Sequence, residues 1–93
     1  MNLAELKAAL DAADIYESYY SFDSGDIGEG FRIHRFHDML GDGWEVYYSE
    51  RGNKNQLLIH RSEAEACEDL FRRITRDPST TRQWVQAHRH RKL

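Results

Sequence analysis

The chain has 93 residues, 40% hydrophobic and 31% charged, with one Pro and one Cys. That length buries one modest core and leaves no room for a second, and the share of core-forming residues is too high for a disordered chain. The net charge of −3 hides a division: residues 1–50 carry 11 acids and 3 bases, whereas residues 51–93 carry 5 acids and 10 bases, so the acidic half opposes phosphate binding by the basic half.

Asn2 followed by Glu5 has the spacing of a capping box, and Leu3, Leu6, Leu10 and Ala13 then share one helical face. A first helix is expected from Leu3 to Ala13. The aromatic stretch after Asp14 favours an extended segment, with a strand over Tyr19–Phe22. Residues Asp23 to Gly30 contain three glycines and three acids and read as a loop.

Phe31–His37 follows as a second strand, and Leu40-Gly41-Asp42-Gly43 as a turn into the strongest strand signal, Trp44–Ser49. Glu50-Arg51-Gly52-Asn53 is a second turn, leading to a fourth strand over Gln56–His60. Ser62 and Glu65 repeat the capping-box spacing before a helix lined by Ala66, Cys67, Leu70, Phe71 and Ile74. Asp77-Pro78 should interrupt that helix, and a short third helix would carry Trp84 and Val85.

These elements predict an α+β domain over residues 1–87: a short, four-stranded antiparallel β-meander packed by an N-terminal helix and one or two C-terminal helices. The basic tail, residues 88–93, lacks apolar periodicity and is expected to fray. The longest apolar runs, such as Leu57-Leu58-Ile59, are far short of the roughly 20 residues of a membrane span. Met1–Lys7 has no basic region followed by an apolar stretch, and Cys67 alone cannot form an internal disulfide. Both features point to a cytoplasmic protein.

Alternation turns Trp44, Val46 and Tyr48 to the core with Phe31 and Ile33, while Glu45, Tyr47 and Ser49 share the other face. The fourth strand is apolar on both sides. Tyr47, Leu57 and Ile59 therefore predict a second, partly apolar sheet face. Either the third helix covers it with Trp84, or it stays open for a partner or a homodimer.

Little in the sequence points to catalysis. His34 and His37 lie three apart on a strand and face opposite sides, so they cannot chelate together, and no metal or cofactor is expected. Cys67 sits on the apolar stripe of its helix, where a small buried thiol is the usual outcome. Gly25, Gly28 and Gly30 are interleaved with Asp26 and Glu29, which repel phosphate. In a meander the first and third connections share one end, so Asp23, Asp26 and Glu29 should join Glu50 and Arg51 in an acidic rim suited to a basic partner.

The segment Trp44-Glu45-Val46-Tyr47-Tyr48-Ser49-Glu50-Arg51-Gly52-Asn53-Lys54, with Ser62-Glu63-Ala64-Glu65-Ala66-Cys67 and the upstream Tyr20-Ser21-Phe22, resembles small bacterial proteins, often actinobacterial. Some of these are encoded beside polymorphic toxins as immunity proteins. The chain departs from that pattern at His60, where an aromatic would be expected. The resemblance implies a non-catalytic protein that neutralises a cognate toxin domain by occluding its active site or substrate groove. The contact residues expected for it are Asp23, Asp26, Glu29, Tyr47, Glu50 and Arg51. The competing expectation is a nucleic-acid-binding or regulatory module using Arg72, Arg73, Arg76, Arg82, Arg89, Arg91 and Lys92.

Overall fold

The computed structural model describes residues 1–22 and 28–89. Its first helix, α1, spans Leu3–Ala12 and begins with the expected capping box: the Asn2 side chain accepts from the Glu5 amide, and Glu5 accepts from the Asn2 amide. Leu6 and Leu10 are fully buried from this helix. Each contributes on the order of 1.5–3 kcal/mol by leaving water.

A short 3-10 turn at Glu17–Tyr19 leads into β1, Tyr20–Ser21. Three longer strands follow: β2 at Gly30–Asp38, β3 at Gly41–Glu50 and β4 at Asn53–His60. The sheet order is β1-β2-β3-β4, and β2, β3 and β4 form the expected antiparallel meander. The β1 strand differs, since it pairs parallel to β2 through Tyr20↔Phe31 and Ser21↔Arg32. Just before β1, Ile15 bridges Thr81 and the Tyr16 amide donates to the Thr80 carbonyl. These ties bring the chain to the sheet alongside the start of β2 rather than its end.

The second long helix, α2, spans Glu63–Thr75 and packs on β2, β3 and β4 beside α1. Ser62 caps it by accepting from the Glu65 amide. The Glu65 side chain turns toward His60, 4.0 Å away. Glu63 in turn accepts from the Leu3 amide and so caps α1.

Ala66, Cys67, Leu70 and Ile74 meet Leu6, Leu10, Ile15, Ile33, Trp44 and Val46 in one core. Tyr48 is half-buried at its margin, edge-on to Phe31 at 5.1 Å between ring centroids. Asp77-Pro78 ends α2 as expected and forms a turn over Pro78–Thr80. A third helix, α3, runs over Arg82–Arg89, two residues into the segment expected to fray; residues 90–93 lie outside the described ones.

α3 does not cross the second sheet face. Its Arg82 pairs with Asp11 at 2.9 Å, and the Asp14 carboxylate accepts from the Gln83 amide. These bonds hold α3 at the end of α1, while Trp84 stacks on its own His88 at 3.6 Å. No helix among the described residues is long and apolar enough to cross a membrane.

Candidate protein-interaction surface

Of the residues expected on the partly apolar second sheet face, Leu57 and Ile59 are exposed and Tyr47 is not. Tyr47 lies opposite Arg32 in the β2–β3 register and is only 5% exposed, which removes it from the set of contact residues. The Lys54 ammonium sits 5.1 Å above its ring and bonds Glu45 at 2.9 Å. Arg32 is buried as well, and its guanidinium donates to the Phe31 and Gly28 carbonyls. The alternation rule placed Tyr47 on the right face, but which neighbours cover a face is not encoded in strand periodicity.

Of the expected acidic rim, Asp23 and Asp26 lie outside the described residues. Glu29, Glu50 and Arg51 are exposed and share one end of the sheet, because Gly30 pairs with Ser49. Both residues of the β3–β4 turn have positive φ, 51° at Arg51 and 81° at Gly52, as a type I′ hairpin turn requires. Burial, and then the nearby charges of Glu29 and Glu50, push the Tyr48 phenol pKa up.

The opposite end of the β2–β3 hairpin carries a feature that the sequence reading passed over. Asp38 pairs with Gly41, leaving Met39 and Leu40 as a two-residue turn at the tip. Met39 is fully exposed and Leu40 is 82% exposed. The turn is tightly held. The Leu40 amide donates to the Asp38 carboxylate at 3.0 Å, and Gly41 takes φ 109°, a conformation that suits glycine.

Arg61, beyond the end of β4, grips Asp38 with two bonds of 2.9 and 3.0 Å. Its guanidinium also lies 5.4 Å from the Phe36 ring centroid. Phe36 covers Gly43, where a β-carbon would come within 2.4 Å of the ring. On the other side, Asp42 binds Arg35 at 2.9 Å and His37 at 3.0 Å. Their hydrogen bonds hold both carboxyls below the ordinary aspartate pKa: Arg61 does this for Asp38, and His37 and then Arg35 for Asp42.

The ion pairs thus flank two large apolar side chains that project from the turn into solvent. Turn positions are normally polar or small, so Met39-Leu40 between Asp38 and Gly41 was the readable signal.

Between β4 and α2 lies a groove of about 330 Å³ lined by Gln56, Leu57, Leu58, Asp69, Arg72, Arg73 and Arg76. Asp69 accepts from Arg73 Nε at 2.9 Å and Nη2 at 3.1 Å, and it lies 2.8 Å from His60 Nε2. Arg73 also donates to the Gln56 carbonyl at 2.9 Å. His60 thus occupies the position where an aromatic was expected, and it gives Asp69 a third hydrogen bond.

These bonds divide the basic residues expected to bind nucleic acid. Arg73 and Arg82 are engaged within the fold, while Arg72 and Arg76 are exposed and form no ion pair among the described residues. Cys67 is fully buried, and burial pushes its thiol pKa up to about 11, so it offers no thiolate at neutral pH. No protein-family model, curated protein or solved structure matches the chain.

Proposed function

We propose that this protein is a non-catalytic inhibitor that binds a basic bacterial toxin domain and occludes its active site or substrate groove. The observation that carries this reading is the hairpin tip with Met39 and Leu40 in solvent, flanked by the Arg61–Asp38 and Arg35–Asp42 pairs. Exposing two adjacent large apolar side chains at a turn favours contact with a partner, and a narrow projecting tip suits a concave one. The exposed carboxylates Glu29 and Glu50, at the far end of the same hairpin, add a field that speeds encounter with a basic surface. The likeness of the Trp44–Lys54 segment to immunity proteins supports a toxin as the partner.

The test is co-expression with the C-terminal domain of a toxin encoded beside this gene, scored by growth and by titration of the purified pair. The wild-type chain should protect and bind. Met39→Asp and Leu40→Asp should each weaken binding by about 30-fold or more, the effect of losing an anchor worth 2 kcal/mol or more. Full protection by the double variant would move the interface elsewhere, and failure of the wild-type chain to protect would end the toxin reading.

A further inference from the structure

β4 is the outermost strand, and residues 53–59 are all exposed. Leu57, Leu58 and Ile59 are 40%, 52% and 52% exposed, so the outer edge is apolar on both faces. Natural sheets protect such edges with charges, prolines or bulges. Here the β4 bulge, where Gln56 (φ 55°) and Leu57 together oppose Tyr47, falls at the start of the apolar triplet and turns the Gln56 carbonyl to Arg73. Residues 57–59 remain extended, with no charged or proline residue among them.

The side of α2 next to this edge has a polarity of its own. Glu65 and Glu68 lie in its first half and Arg72 and Arg76 in its second, all four exposed. The strand and the helix are pinned together at two levels, by His60 to Asp69 and by the Gln56 carbonyl to Arg73. Leu58, midway between those levels, therefore sits beside the middle of α2.

We propose that the protein forms a two-fold symmetric dimer in which β4 pairs antiparallel with β4 of a second copy, making one continuous eight-stranded sheet. An axis at Leu58 sets that residue against its own equivalent and Leu57 against Ile59 of the other copy. The same axis lays the acidic half of each α2 across from the basic half of the other, so the charge pattern is self-complementary in the arrangement that a two-fold closes.

Reach is adequate. Strands lie about 4.8 Å apart, so helices centred over the two β3 strands are separated by three spacings, roughly 14 Å, which opposed Glu and Arg side chains can span. The two hairpin tips then point to opposite ends of the sheet, and both stay free. This dimer does not depend on the proposed toxin binding.

Sedimentation of the purified full chain should show the mass of two 11.0 kDa chains at high concentration. Leu58→Lys, which sets two ammonium groups at the axis, should give a folded monomer by circular dichroism. The doubly substituted chains R72E/R76E and E65R/E68R should each be monomeric alone and should dimerise when mixed, which a structural defect could not produce. A wild-type chain that stays monomeric, a dimer untouched by Leu58→Lys, or no association in the mixture would each overturn the proposal.

Discussion

Replacing Asp69 by Ala should be the most damaging single change to a polar group in the molecule. Its side chain is 10% exposed, accepts twice from Arg73 and once from His60, and so fastens α2 to β4. Removing one member of a buried pair costs about 3–5 kcal/mol, mostly because the other charge is left buried without its partner. Arg73 keeps its bond to the Gln56 carbonyl, which places the expectation at the lower end, about 3 kcal/mol.

A domain of this length has a total stability of roughly 5–14 kcal/mol. At about 4–8 °C per kcal/mol, the melting temperature should fall by about 12–24 °C. Urea and thermal unfolding, followed by circular dichroism and tryptophan fluorescence, measure the loss. Burial raises the Asp69 pKa, but the hydrogen bonds from Arg73 and His60 outweigh it, and the folded value lies below the ordinary one.

Because the folded pKa is the lower one, the stabilisation is complete above the unfolded value of about 3.9 and disappears as pH falls through the folded value. The stability gap between the wild-type chain and Asp69→Asn should therefore narrow below about pH 4. A loss under about 1 kcal/mol at neutral pH, or Asp69→Ala and Arg73→Ala effects that simply add, would refute the assignment of a coupled buried pair.

Cys67 should resist a thiol-specific disulfide reagent in the native state and react fully in denaturant, since it is completely buried with its pKa near 11; rapid native labelling would contradict that burial. Gly30→Ala should lower stability by about 1–3 kcal/mol. Gly30 has φ 144°, and a β-carbon there would lie 2.8 Å from both the Tyr19 carbonyl oxygen and Arg32 Nη1. An unchanged unfolding midpoint would show that this corner relaxes freely.

The parts of the fold legible in the sequence were those that depend on neighbours a few residues away. The stripes Leu6–Leu10 and Ala66–Cys67–Leu70–Ile74 mark helices buried on one face, and they are so buried. Alternation in β3 separates Trp44 and Val46, which face the core, from Glu45 and Ser49. The Arg51-Gly52 turn and the Asn2-Glu5 capping box were likewise readable from spacing. Of the candidate surface, the sequence indicated that Glu29, Glu50 and Arg51 share one end.

Tertiary structure alone decided the rest. Whether β1 runs parallel to β2 depends on ties from Ile15 and Tyr16 to Thr80 and Thr81, more than 60 residues away in the chain. Tyr47 has the strand position of a surface residue, yet Lys54 lies over its ring beside the buried Arg32. His60 and Arg73 become partners of Asp69 only when α2 folds back along β4, and Arg61 steadies the Met39–Leu40 tip only because β4 ends beside it. Helical and strand periodicity record which way a side chain points; what it meets there is set by segments distant in sequence, through packing that no local spacing encodes.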